Sequence, residues 1–393
     1  MPYPLTDGGA IGIYNITKSL AKRGHEITLV TYPLDTDAET QLAIRELSQF
    51  AKVVTTSKPL PPRWRVLLST LFRGAYPIER RITPEMFELL DRTVRAEQFD
   101  LVHVDHAHMG RYGLWLIEKF GLPIVLREHN FEAQIYQRFA ETESNPLKKF
   151  LARIHGARLR EEEISFLKAF DAIAPISDED LRLMREVAPN ARYRVIPAGV
   201  DTDYFQPSVF EVVPETILSV GSFAWDPNFD AMKYFLREVF PLVLAKRPNA
   251  RLQIIGACGE RILPFAAPFG KSVQVLGLVP DIRDYLSRSA VLVVPLRIGG
   301  GMRLKLLEFF AAGKAVVSTS IGAEGNLAAD GVHLLIRNGK DAFAAGILEL
   351  LKNPDLRASL GKSARDLVTT EYSWDRIASE FESLYEEVTA SRV

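Results

Sequence analysis

The sequence predicts an α/β protein built as two doubly wound domains facing a cleft. Three observations predict it. Short aliphatic and β-branched runs recur along the 393 residues. These runs are continuous rather than alternating, as parallel strands buried on both faces require. Stretches with helical spacing separate most of them, so each half reads as a series of βαβ units.

Taken in order, Gly8 and Gly9 open "GGAIGIYNITKSLAKRG", an amphipathic helix. Strands are expected at 26–32, 51–56, 100–106, 122–128, 171–177 and 193–197. A second series is expected at 216–222, 251–256, 272–277, 290–296, 314–319 and 333–336. The break lies in "AGVDTDYFQPSVFEVVPET" (198–216), which has two prolines and little periodicity. It divides the chain into a first Rossmann-like domain, 1–208, and a second, 209–372. In the tail, Trp374, Ile377, Phe381 and Leu384 fall at helical spacing. Residues 373–393 are therefore expected as a helix crossing back to the first domain. One element is missing. In a βαβ unit a strand precedes the glycine turn, yet only "MPYPLTD" stands before Gly8. Pro2 and Pro4 lack the N–H that a central strand needs. The expectation is that Met1 is an internal start or the chain is trimmed. Strands 26–32 and 100–106 should then show a gap or an unusual direct pairing.

Composition narrows the function. Hydrophobic residues make up 47% and charged residues 25%, an ordinary globular balance. A net charge of -1 gives no global field to select nucleic acid. The single cysteine, Cys258, excludes an intrachain disulfide and a cysteine-built zinc site. No apolar run approaches the ~18 residues of a membrane span. The opening residues lack the basic and apolar regions of a secretory signal. A cytoplasmic location is expected. From Lys52 to Arg81, seven basic residues face one acid, Glu79. Within this stretch "RWRVLLSTLFRG" interleaves apolar residues and arginines. Packing into the domain is favoured, with contact at an anionic membrane surface, at its inner face, as the alternative.

The chemistry concentrates in "GGGMRLKLLEFFAAGKAVVSTSIGAEG" (299–325). Gly300 and Gly301 lie at a strand-to-helix turn, with the helix expected from Met302. Free N–H groups and the helix dipole favour an anion there. Arg303 and Lys305 in the first turn oppose the dipole, so helix stability does not explain them, whereas a bound polyanion does. The turn matches neither a Walker loop nor G-x-G-x-x-G. Glu308 lies one turn past Lys305. It is either a surface ion pair with Lys305 or a carboxylate for a ribose diol.

These residues carry a resemblance. Together with "ILSVGSFAWDPNFDAM", "VIPAGVDTDYF" and "PYPLTDGGAIGIYNITKSLAKRGHEITLVT", they resemble the group 1 glycosyltransferases, family 4. The resemblance covers nearly the whole chain. It implies the GT-B fold, a nucleotide diphosphate sugar as donor, no metal cofactor, and retention of configuration. It implies that Arg303 and Lys305 hold the diphosphate and Glu308 the ribose. The Gly325 loop would pass close to the donor. "GLVPDIRDYL", with Val279, would frame the nucleobase, and Gly8 and Gly9 would lie near the phosphates and acceptor. Two departures stand out. Many relatives carry a glutamate where this chain has Gly300. They also place an arginine and a lysine where this chain has "GSFAWDPN", so Trp225 is either a pocket wall or core.

In the first domain "DLVHVDHAHMGRYG" supplies His103, His106 and His108. A metal site needs three or four ligands, and no third is evident beside His106 and His108. The resemblance puts one of these histidines at the acceptor, and His106, just past the strand end, is the choice. As a neutral imidazole it would orient or deprotonate an acceptor hydroxyl. Glu128 and His129 follow another strand end and are cleft residues or caps. The D-x-D pairs Asp35/Asp37 and Asp201/Asp203 read as turn formers. The function expected is metal-independent sugar transfer from a nucleotide diphosphate sugar to a glycan, lipid-linked or small-molecule acceptor. The alternatives are a non-catalytic nucleotide-sugar-binding partner and a nucleotide-sugar epimerase.

Overall fold

The computed structural model describes residues 1–5, 8–57, 60, 74–142, 145–207, 211–299 and 302–392. It separates into two compact units, Met1–Pro197 with Ile377–Val393, and Ala198–Arg376. Most of the basic amphipathic stretch lies outside the described residues, as do Gly300 and Gly301.

The second unit is a six-stranded parallel sheet of β6 (Val213–Val220), β7 (Arg251–Ile255), β8 (Val273–Gly277), β9 (Ser289–Val294), β10 (Val316–Ser318) and β11 (Leu335–Ile336), in the order β11-β10-β9-β6-β7-β8. The pattern of these strands explains the layers. Successive residues point to opposite faces. Ile217, Val291, Val293 and Val317 enter one apolar cluster, with Phe235, Phe240 and Phe343. Their neighbours Leu218, Leu292, Val294 and Val316 enter the other, with Leu306, Phe309, Phe310 and Val368. Both faces are covered by helices, which is why the runs are apolar throughout. The chain winds outward from β6 through β7 and β8, then returns to β9 and winds the other way. The reversal falls between β6 and β9.

In the first unit β1 (Thr28–Thr31) pairs with β2 (Lys52–Thr55). β3 (Val102–Asp105), β4 (Ile124–Glu128) and β5 (Ala172–Pro175) form a separate three-stranded ladder. No strand forms in residues 1–5, and β1 and β3 do not pair with each other among the described residues. The Tyr32 hydroxyl, just past β1, lies 2.8 Å from that of Tyr112 on helix Gly110–Phe120, and the Arg81 carbonyl, 2.5 and 2.8 Å away, accepts from them. The strand expected at 193–197 is reduced to a bridge between Ile173 and Tyr193. Its backbone N–H groups still reach β5, Arg194 to Ile173 and Ile196 to Pro175. The helix Trp374–Ala390 places Glu382 against Arg23 and His25, and Tyr385 against His103.

Candidate functional site

In open doubly wound sheets, ligands bind beyond the carboxyl ends of the strands where the winding reverses. Here that point lies at the ends of β6 and β9. After β6 come Gly221 and Ser222, in backbone contact with the turn after β7. Gly256 holds φ at 144°, and a Cβ there would stand 1.9 Å from the Gly221 carbonyl oxygen, so only glycine fits. After β9 the chain runs to Arg303. The helix begins at Leu304 rather than Met302, and Arg303 occupies its N-cap with extended backbone (φ -98°, ψ 96°). Arg303 is therefore ahead of the first turn, and Lys305 is within it.

Lys305 reaches back to the end of β6. Its Nζ donates to the Val220 carbonyl (3.1 Å) and to Asn228 Oδ1 (2.9 Å). Asn228 in turn donates from Nδ2 to the Ser222 carbonyl (2.9 Å). A Cβ on Gly221 would lie 2.9 Å from both the ammonium and the Asn228 amide, so glycine makes room for this contact. Burial, aided by the charge of Arg303, lowers the Lys305 pKa to about 8. Arg303 is itself 7% exposed, with Cζ 5.4 Å from the Trp225 ring centroid. Burial lowers its pKa and the Glu324 charge opposes this. Two desolvated cations at a strand end are what a polyanion would satisfy.

Among the described contacts Lys305 bonds Val220 and Asn228 rather than pairing with Glu308. Burial raises the half-buried Glu308 carboxyl to about 7, partly offset by Lys305. Val279 follows β8 and packs half-buried on the same cluster as Met302 and Ile321. Gly325 follows β10 in the left-handed region, φ 82°. Gly8 and Gly9 form the first turn of helix Gly8–Lys22 itself rather than a loop before it. Asn228 and Gly221 were not singled out from sequence. The signal was the "GSFAWDPN" segment, whose asparagine stands where a buried cation needs an acceptor.

In the first unit the carboxyl end of β3 and β4 holds a buried polar network. Asp105 Oδ1 accepts from His129 Nε2 at 2.6 Å and lies 3.6 Å from Arg127 Nη1. Arg127 is 1% exposed and its guanidinium lies against Gly12, where a Cβ would come within 2.8 Å. Burial would push Asp105 up, but Arg127 and His129 hold it well below the usual carboxylate range. A carboxylate only accepts, so His129 carries its proton on Nε2 and keeps Nδ1 as an acceptor. His106 stacks on His129, centroids 3.7 Å apart and rings 18° from parallel. It holds φ at 70°, a strained value for a non-glycine residue. Burial and His129 keep it neutral, far below the ordinary histidine pKa. The His108 ring centroid lies 5.6 Å from that of His106, and burial lowers its pKa to about 3.

The metal geometry differs from the one weighed from sequence. Asp105, His106 and His129, not His106 and His108, bring ligand atoms within 4.8 Å of one another. A divalent ion there would have to break the His129–Asp105 bond and sit beside the Arg127 charge, so the arrangement reads as a hydrogen-bonded dyad. Asp201 accepts from the N–H groups of Asp203 and Tyr204, a turn role, and Asp37 is the first residue of a helix capped by Thr36.

Comparison with known proteins adds to this geometry. The MMP alpha-(1->4)-mannosyltransferase of Mycolicibacterium hassiacum is 23% identical over 98% of this chain and 96% of its own length. Sucrose-phosphate synthase from Thermosynechococcus elongatus superposes with a TM-score of 0.70 at 19% identity, covering 98% of this chain and 94% of that one. The Anabaena protein HepE in complex with UDP-glucose gives a TM-score of 0.64 at 13% identity, covering 97% of this chain and 96% of that one. The family description "Glycosyltransferase Family 4" matches residues 6–204, and "Glycosyl transferases group 1" matches residues 214–353. With both halves accounted for, the chain belongs to the group 1 glycosyltransferases, family 4, and has the GT-B fold.

Proposed function

We propose that the protein transfers a hexose, with retention of configuration, from a nucleoside diphosphate sugar to a glycan or lipid-linked hydroxyl. We further propose that no metal assists at the diphosphate. The observation that carries this reading is the pair of cations, buried Arg303 and half-buried Lys305, at the carboxyl end of β6, with Glu308 one turn on. In the reaction the bond from the anomeric carbon to the diphosphate oxygen breaks, and the acceptor oxygen bonds to that carbon. Negative charge then builds on the leaving diphosphate. Preorganised donors in a dry site stabilise such charge most, and both cations are already in place. The acceptor proton passes to the leaving phosphate oxygen. A relative named as a mannosyltransferase and a neighbour solved with UDP-glucose support a hexose nucleotide as donor. No helix among the described residues is long and apolar enough to cross a membrane. A cytoplasmic enzyme reaching lipid-linked acceptors at the inner face of the membrane is the reading we favour.

The test is release of nucleoside diphosphate from UDP-glucose and GDP-mannose, with and without chelator. Wild type should hydrolyse or transfer from at least one donor, and chelation should leave the rate intact. Lys305→Ala should lose on the order of 2–4 kcal/mol of transition-state stabilisation. Glu308→Gln should weaken donor binding while Tm barely moves. Near-normal turnover by Lys305→Ala would overturn the assignment, and loss on chelation restored by manganese would overturn metal independence.

A further inference from the structure

Trp225 is a large aromatic side chain left 42% exposed, directly ahead of helix Asp226–Tyr234 at the end of β6. It is therefore not core. The first turn of that helix is held at two points by the two cations. Lys305 bonds Asn228, and Arg303 lies over the Trp225 ring. The backbone of Gly299 lies on the same side. A Cβ there would stand 2.4 Å from Arg303 Nη2 and 3.6 Å from Trp225 Cη2, and φ is 140°. Glycine thus lets the strand-to-helix turn close against the indole.

The order of these groups gives a direction. Glu308, Lys305 and Arg303 descend the start of one helix, spanning about 7 Å at ~1.5 Å per residue. A ligand with its ribose at Glu308 and its diphosphate at Lys305 and Arg303 has its far end at Gly299 and Trp225. The far end of a nucleotide sugar is the sugar. A pyranose presents one face of C–H groups, and an indole face is apolar with a negative quadrupole that favours partial positive charge. Burying an exposed indole against that face removes apolar area from water at both partners.

We propose that Trp225 is the specificity surface for the transferred hexose, a stacking wall that distinguishes the nucleotide sugar from the bare nucleoside diphosphate. This rests on the donor reading given above. The test compares wild type, Trp225→Phe and Trp225→Leu by calorimetric titration with UDP, GDP, UDP-glucose and GDP-mannose. Leucine keeps apolar bulk without a π face, and phenylalanine keeps a smaller face. Trp225→Leu should weaken the preferred nucleotide sugar on the order of fivefold to tenfold. Its affinity for the matching diphosphate should stay within about twofold, and Trp225→Phe should lie between. Equal losses for sugar nucleotide and diphosphate would show that Trp225 merely supports Arg303 and would overturn the proposal. So would unchanged sugar-nucleotide affinity in Trp225→Leu. Wild type that binds a diphosphate but gains nothing from its sugar overturns the Trp225 proposal alone. Wild type that binds none of the four overturns the donor reading as well.

Discussion

Lys305 is held in a site that resists its charge. In the empty protein burial brings its pKa to about 8, and an arriving diphosphate favours the protonated form and draws the pKa back up. Binding therefore takes up a proton above about pH 8. Affinity for UDP or GDP should be flat from pH 7 to 8 and fall as pH rises further. Asn228 positions the ammonium through one bond of 2.9 Å. Removing an uncharged acceptor from a charged donor disfavours the charged form, so Asn228→Ala should move the decline to lower pH. It should also weaken binding on the order of tenfold at pH 7.5. Asn228→Asp adds a negative partner and should move the decline to higher pH. Calorimetric Kd values between pH 7 and 9.5 check this. Identical profiles in all three proteins would mean that Lys305 does not meet the diphosphate.

Helix Glu132–Thr142 starts against the helix Pro146–Ala169. Its first N–H groups are met from the next helix, where Glu163 accepts from Glu132 N (2.7 Å) and Ala133 N (2.9 Å). Burial nevertheless raises Glu163 to about 8, with Glu132 and Asp180 adding repulsion. Glu128 nearby is fully buried and also raised, by burial and by Glu163. The folded chain keeps a proton that the unfolded chain, titrating near 4.5, has lost. Stability from Glu163 is thus fully present below about pH 4.5 and is lost as pH rises through about 8. Tm should fall from pH 6 to 8.5. Glu163→Gln cannot ionise, so its Tm should start lower, from one lost N–H bond, and fall less steeply. A slope equal to wild type would show that other groups carry the pH dependence.

At the scale of the whole chain, the sequence-distant helix Trp374–Ala390 completes the first unit. Phe381 is fully buried, with its ring 5.1 Å from His103 and 5.9 Å from Tyr385. Tyr385 bonds His103 Nδ1 at 2.5 Å, and His103 Nε2 lies 3.6 Å from Asp105. The helix thus supplies part of the wall behind the Asp105–His129 dyad. Phe381→Ala should cost about 3–5 kcal/mol of stability, as for other buried aromatic truncations. Denaturant unfolding measures this, and a loss under about 1 kcal/mol would mean that the helix is not part of that cooperative unit.

Much of this was legible in the sequence, for local reasons. Continuous apolar runs mark β6, β7 and β9 because both faces of each strand are covered. Glycines before two cations single out Arg303 and Lys305 because neither feature helps a helix start. Pro2 and Pro4 offer no N–H to a ladder, and residues 1–5 form no strand. Other features were decided only in three dimensions. The bond from Lys305 to Asn228 joins residues 77 apart, and the one from His129 to Asp105 joins residues 24 apart. Neither pair lies on one element, so no spacing rule connects them. His106 follows a strand end, and the Asp105 carboxylate bonds His129, the ring stacked on it. Residues 193–197 have a strand's composition, yet only a bridge forms. Periodicity reports which face a side chain takes on its own element. Strand order decides which distant groups meet across the ends of a sheet, and that order is a property of the packed whole.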